Sequence, residues 1–82
     1  MDRIQKLREE TTAELERLKE KHYQEWMGMI ADEQKALKKA KTVKEIKEVR
    51  KENERKRDLL DKRQTEEYIS LQREFVEKLQ SR

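Results

Sequence analysis

The sequence predicts an all-α fold: a long antiparallel two-helix hairpin with a coiled-coil-like seam. Apolar residues recur every eleven positions, proline is absent and glycine occurs once, and a helix-capping sequence lies near the middle of the 82 residues. Eleven residues complete three turns at 3.67 residues per turn, so each apolar stripe follows a nearly straight helix. Two such helices bury one seam and no globular core, so we expect them to associate into a larger helical bundle.

The first helix is expected over about residues 3–39, with Asp2 as its N-terminal cap. Gly28 lies in the densest apolar stretch of this helix and costs about 1 kcal/mol relative to alanine. Two interpretations stay open for Gly28: a tolerated weak point, or a contact site for another backbone or a bulky side chain. The stripe of the first helix is Ile4, Leu7, Thr11, Leu15, Leu18, His22, Trp26, Met29, Glu33, Leu37 and Ala40.

A turn is expected at about residues 40–42. Leu7, Leu18, Met29 and Ala40 follow one another at a spacing of eleven residues. The next two positions at this spacing are Lys51 and Lys62, so the apolar stripe of the first helix ends near residue 40. Thr42 stands three residues before Glu45, which predicts a capping box: the Thr42 side chain accepts the Glu45 amide, and the Glu45 carboxylate reaches back. One continuous bent helix is the alternative, because neither glycine nor proline marks the turn.

A second helix is expected over about residues 43–80, so that residues 1–82 form a single helical region. Asn53 and Gln64 lie within its stripe, where polar residues typically fix the register of a helix pair at some cost in stability. The predicted helix–helix interface is Ile4, Leu7, Leu15, Leu18, Trp26, Met29, Leu37, Ile46, Val49, Leu60, Tyr68, Leu71, Phe75 and Leu79.

The two stripes mesh in one antiparallel register. Its facing pairs are Ile4–Leu79, Leu15–Tyr68, His22–Leu60, Trp26–Arg57 and Leu37–Ile46. Trp26 opposite Arg57 predicts either a cation–π pair worth about 0.5–1 kcal/mol or an indole anchor covered by the arginine stem. His22 has no cysteine or second histidine near it, so we expect a packed seam histidine and no metal ligand.

Further apolar residues lie beside the seam. They are Tyr23, Trp26, Met27 and Ile30 on the first helix, and Leu59, Ile69 and Val76 on the second. These edges indicate an additional helical partner, such as a second copy of this chain in a homodimer or higher bundle.

Positive charge is concentrated around the expected turn. Residues 35–63 contain thirteen Lys/Arg and six Asp/Glu, a charge of +7, whereas the rest of the chain contains nine and thirteen, a charge of −4. A solvated surface, an anionic membrane site and a nucleic-acid site are the three interpretations. Nucleic acid is the least expected, because no aromatic residues alternate with the basic ones. The candidate residues for binding an anionic surface are Lys35, Lys38, Lys39, Lys41, Lys44, Lys47, Arg50 and Lys51.

Catalysis is not expected from this chain. It has no nucleophile–His–acid set and no glycine-rich phosphate loop, and a two-helix rod offers no pocket that excludes water. We expect no cofactor or metal, and the absence of cysteine excludes disulfides. Because no signal peptide, membrane span or lipidation signal is recognised, the expected location is cytoplasmic. A peripheral position at the membrane is expected if the basic residues bind an anionic surface.

Residues 42–72, and especially the sequence Leu-Leu-Asp-Lys-Arg-Gln at 59–64, resemble part of the C-terminal coiled-coil region of the phospholipase C-β enzymes. Residues 21–39 are similar in character, as a charged helix with embedded aromatics. The resemblance implies very long antiparallel helices outside the catalytic barrel, which is absent here. It also implies self-association, membrane association through basic surfaces, and contact with Gq-class G-protein α subunits.

The sequence and the resemblance together predict a non-catalytic coiled-coil interaction module in signalling. Its expected roles are dimerisation and docking to an anionic membrane, to a Gq-class G-protein α subunit, or to both. The alternative is a purely structural coiled-coil rod or spacer, whose charges only keep it in solution.

Overall fold

Two long helices form an antiparallel hairpin in the computed structural model, which describes residues 2–81. Helix α1 runs over Arg3–Lys39 and helix α2 over Val43–Gln80, with residues 40–42 between them. The predicted fold class is therefore confirmed, and the alternative of one continuous bent helix is wrong. Met1 and Arg82, the two ends of the predicted region 1–82, lie outside the described residues.

Both helices begin at side chains that cap them. Asp2 Oδ1 accepts the Ile4 amide at 2.9 Å, and Thr42 Oγ1 accepts the Glu45 amide at 3.1 Å. The Glu45 carboxylate also reaches back, but it accepts the amide of Lys41 at 3.1 Å, one residue before the N-cap Thr42 whose amide a capping box would bind. These bonds satisfy amides that have no partner within the first turn of a helix, and they determine where each helix begins.

The chain reverses direction without glycine. Ala40 (φ −70°, ψ 126°) and Thr42 (φ −123°, ψ 159°) have extended backbones, and no non-glycine residue in the described part of the chain has a positive φ. Ordinary residues adopt these dihedrals without strain, so this turn does not need glycine or proline. For this reason the turn has no glycine or proline signal in the sequence.

The buried interior is small and largely polar. Leu7 and Met29 are the buried apolar side chains within residues 2–81, and His22, Asn53 and Gln64 are buried beside them. Among the same residues, no side chain is less than 2% exposed. The hairpin is a rod of 63 × 16 × 9 Å, in which most residues touch solvent on at least one side. Hydrophobic burial within one chain is therefore modest.

The register predicted from the stripes is wrong in the middle of the rod. His22 contacts Gln64 and Tyr68, which lie one and two turns beyond the expected Leu60. Arg57 pairs with Glu33 at 2.6 Å, about two turns from the expected Trp26. The predicted Trp26–Arg57 pair is thus replaced by other contacts, in which Trp26 donates to buried Gln64 and Arg57 binds Glu33.

Candidate functional site

The eight candidate residues for anionic-surface binding surround the turn end of the hairpin, and all of them are exposed. Lys44, Lys47 and Lys51 lie together on one side of α2, where they line a shallow depression with Val43 and Glu48. On α1, Lys38 and Lys39 occupy the last turn, where cations stabilise the negative end of the helix dipole. The remaining candidates are Lys35 on α1, Lys41 in the turn, and Arg50 on α2.

Three of the five other basic residues between 35 and 63 have internal partners. Arg55 binds Glu52 at 2.6 Å within α2, and Arg57 binds Glu33 across the hairpin at the same distance. Arg63 binds Glu25 of α1 and also Glu67, the latter at 2.9 Å. None of the eight candidates forms an ion pair with another residue in the range 2–81, so their charge remains available to an external anion.

Most residues of the predicted helix–helix interface are half-buried. Of its fourteen residues, Leu7 and Met29 are buried. Ile4 and Leu79 remain exposed at 47% and 38% at the open end, where the Arg3 side chain donates to the carbonyls of Lys78 and Ser81. The other ten are half-buried: Leu15, Leu18, Trp26, Leu37, Ile46, Val49, Leu60, Tyr68, Leu71 and Phe75.

A polar cluster crosses the middle of the interface. The Trp26 indole N–H donates to Gln64 Oε1 at 2.8 Å, and Gln64 Nε2 donates to the His22 carbonyl at 3.2 Å. The His22 ring lies edge-on to Tyr68, with centroids 4.7 Å apart, and its Nε2 is 3.1 Å from Glu67 Oε2. Because a carboxylate only accepts, the Nε2 atom carries the hydrogen in this contact.

The cluster was only partly visible in the sequence. The sequence places Gln64 and His22 as polar residues within the stripes and predicts that His22 is packed rather than metal-bound. Glu67 was missed, because it flanks the stripe and charged flanking residues are common on any helix. In residues 2–81 no three His, Cys, Asp or Glu side chains are placed to hold a metal ion together.

Carboxyl groups beside the cluster have lowered pKa values. The pKa of Glu67 lies below its ordinary value of 4.5, chiefly because of the His22 hydrogen bond and also because of nearby Lys21. The hydrogen bond from Arg63 lowers the pKa of Glu25 in the same way, and the pKa of Arg63 is raised in return. These shifts favour the charged forms, so the ion pairs persist at neutral pH.

Apolar surface lies open on one side of the rod. A groove of 490 Å³ lies between the helices, with Leu15 on the α1 side and Tyr68, Leu71, Phe75 and Val76 on the α2 side. Along the rod from this groove, the exposed fractions of Tyr23, Met27 and Ile30 are 57%, 45% and 37%. Of the predicted edge residues, Leu59, Ile69 and Val76 are exposed as well, whereas Trp26 is half-buried and donates to Gln64.

No family model, curated protein or solved structure matches this chain. The resemblance to the phospholipase C-β coiled coil, and the G-protein contact that it implies, therefore stay predictions. Neither α1 nor α2 is apolar enough over a sufficient length to cross a membrane, as judged over residues 2–81.

Proposed function

We propose that this chain is a non-catalytic helical interaction module that self-associates and docks on anionic membrane surfaces through its basic turn end. In this proposal it is a cytoplasmic, peripheral part of a signalling protein. One observation carries the docking proposal: the eight exposed Lys and Arg residues, which form no ion pair within the described residues, are concentrated around the turn, where residues 35–63 carry a net charge of +7.

The expected binding is weak for a single copy. A Lys or Arg near an anionic leaflet contributes about 1 kcal/mol, and this contribution fades over a Debye length of about 8 Å at physiological salt. Glu45 and Glu48, which alternate with the lysines of α2, offset part of that gain. An antiparallel pair of copies would bind more tightly when it lies lengthwise on the surface, because the turn end at each pole then contacts the same membrane.

Self-association is supported by the small interior. Two buried apolar side chains cannot by themselves offset the entropy of ordering about eighty residues, so burial against a partner is needed. The open groove and the exposed Tyr23, Met27 and Ile30 supply apolar surface for that purpose.

Co-sedimentation with liposomes tests the docking. The wild type is expected to pellet with vesicles that contain anionic lipid, to remain in solution with neutral vesicles, and to be released by added salt. Four turn-end substitutions are expected to abolish pelleting: Lys38→Glu, Lys39→Glu, Lys41→Glu and Lys44→Glu. The control makes an equal change of charge at the open end, through Lys6→Glu, Arg8→Glu, Arg73→Glu and Lys78→Glu.

The two variants carry the same net charge. A difference in their binding therefore reports a site at the turn end and not an effect of total charge. We expect the open-end variant to retain more binding than the turn-end variant, with helicity and mass measured for both. Equal losses in the two variants would contradict a turn-end site. Absence of wild-type binding at low salt would contradict membrane docking altogether and would favour the structural rod or spacer.

A further inference from the structure

The two long sides of the hairpin are chemically different. One side is bridged by ion pairs: Lys21 with Glu67 at 3.3 Å, Arg63 with Glu67 at 2.9 Å, and Arg63 with Glu25. We call this the ion-paired side. Lys21 with Glu67 and Arg63 with Glu25 link the two helices along this edge of the seam.

The opposite side carries the groove defined above, which Lys19 lines on the α1 side. Tyr23, Met27 and Ile30 lie four, eight and eleven residues after Lys19, and this spacing keeps them on the same side of α1. We call these three exposed residues the apolar strip. The strip continues the apolar surface of the groove toward the turn, so this side is apolar over about half the length of α1.

The groove and the strip lie on either side of the middle of the rod. On α1 the groove spans the level of Thr11 to Lys19, and the strip spans the level of Tyr23 to Ile30. The level halfway between them is close to residue 21, which is also the midpoint of the helix Arg3–Lys39. A rotation that exchanges the two ends of the rod about this level therefore superimposes the strip on the groove.

We infer that this side binds a second copy of the chain, with the long axes antiparallel and a two-fold axis at the level of Lys21 and His22. In this arrangement the strip of each copy fills the groove of the other, and the contact is the same in both directions. This inference rests on the self-association in the proposed function and adds its face and its geometry.

Charge favours the same orientation. The turn-proximal region 35–63 carries +7 and the remainder of the chain −4, so antiparallel rods bring opposite charges together at each end. A parallel pair would bring two positive turn ends together. Like-charge contacts of that kind disfavour the wrong arrangement of partners.

A parallel pair would also leave the groove empty. Tyr68 is level with His22, and Arg57 is level with Glu33, so the part of α2 beside the strip lies between residues 57 and 68. On this side that segment presents Asp61, seven residues before Tyr68, and Lys62, fourteen residues before Val76, and both are exposed. A parallel partner would therefore place these charges against the strip, at a cost in desolvation.

Cross-linking tests the orientation, and the absence of native cysteine makes each introduced thiol a specific reporter. A chain carrying Met27→Cys is mixed with a second chain, of different mass, that carries Gln72→Cys on the rim of the groove. We expect a mixed disulfide between the two chains, because the antiparallel pair brings these positions together. The matched partner is Lys62→Cys, which a parallel pair would place near Met27, and we expect little cross-linking to it. A preference for Lys62→Cys would overturn the inference.

Two charge insertions test the face. Met27→Glu lies in the strip, whereas Leu59→Glu replaces an apolar residue that is also exposed (56%). Leu59 lies four residues before Arg63 and so belongs to the ion-paired side. We expect Met27→Glu to raise the dimer dissociation constant by about tenfold or more, and Leu59→Glu to leave it within about twofold. Equal effects would overturn the assignment of the face.

Mass separates this inference from the proposed function. A monomer at every concentration, by light scattering, would overturn both the self-association and this geometry, and the liposome result would stand by itself. A dimer with the wrong cross-link would overturn only the geometry. Circular dichroism on each variant checks that helicity is retained.

Discussion

Trp26 and Gln64 show at the residue scale how a polar contact determines which residues of the two helices face each other. Gln64 is 7% exposed, and its side chain binds the Trp26 indole and the His22 carbonyl at the same time. A buried amide that loses such a partner costs about 1–3 kcal/mol. A shift of α2 by one turn would leave Gln64 without these partners, so the native register is favoured over its neighbours.

Trp26→Phe is expected to destabilise the hairpin by about 1–3 kcal/mol, because it keeps an aromatic ring but removes the donor to buried Gln64. Thermal unfolding at fixed protein concentration measures the loss. In a Gln64→Leu background the acceptor of the indole hydrogen bond is absent. Trp26→Phe should therefore lower the free energy of unfolding by less in this background than in the wild type. Equal costs in both backgrounds would mean that the hydrogen bond does not contribute.

Glu67 predicts how stability depends on pH. Its pKa is lowered in the folded chain, first by His22 and then by Lys21, so the folded state favours the carboxylate. Such a group stabilises the fold above its unfolded pKa, and this contribution is lost as the pH falls through the lowered folded value. The thermal midpoint of the wild type should therefore decrease as the pH falls below about 4.5, the ordinary value.

Glu67→Gln removes that dependence. The difference in midpoint between the wild type and this variant should be largest near neutral pH and should shrink in acid. Glu74→Gln, at an exposed glutamate of the same helix, is the control, and we expect it to follow the wild type closely. A constant difference between the wild type and Glu67→Gln across the pH range would contradict the role given to this carboxylate.

At the scale of the element, α1 continues through Gly28 without a break. A Cβ at this position would meet no heavy atom of the described chain within 4 Å. The interpretation of Gly28 as a close contact within the hairpin is therefore wrong. Its spacing from the strip residues places it on a different side of α1, so the proposed antiparallel contact does not need it either.

Gly28→Ala is accordingly expected to stabilise the helix by about 0.8–1 kcal/mol, since alanine has the higher helix propensity and finds open space here. Chemical denaturation measures the gain, and light scattering should show an unchanged mass. If the variant associates less tightly than the wild type, a partner packs against Gly28, and the contact-site interpretation would return as an intermolecular one.

At the scale of the whole molecule, the rod is 63 Å long, and its charge is divided between its two ends. An antiparallel pair whose two rods overlap along their full length would have twice the mass of one chain and about the same length as one hairpin. A chain that opened into one continuous helix would instead extend to about 120 Å at 1.5 Å per residue. Length and mass together therefore distinguish a paired hairpin from an opened chain.

X-ray scattering with light scattering is expected to give twice the chain mass with a longest dimension close to that of one hairpin. Thermal midpoints should rise with protein concentration, because the associated state is favoured by mass action. A longest dimension near 120 Å would contradict the hairpin in solution. A midpoint independent of concentration, with a monomeric mass, would contradict self-association.

The sequence alone predicts the features that depend on neighbouring residues. The fold class follows from the eleven-residue apolar period, and the start of α2 follows from Thr42 and Glu45, whose hydrogen bonds span three or four residues. These interactions are local, so they do not require knowledge of the partner helix. The charge imbalance around the turn is likewise a property of the sequence.

The register and the exposed face were decided by the tertiary structure. Two stripes of the same period mesh equally well after a shift by a repeat, so periodicity cannot choose among registers. The choice rests on His22, Gln64 and Glu67, which must find specific partners across the seam. The contacts of each seam side chain depend on how two segments about forty residues apart are aligned. The register therefore determines that the ion pairs lie on one side of the rod and the groove on the other.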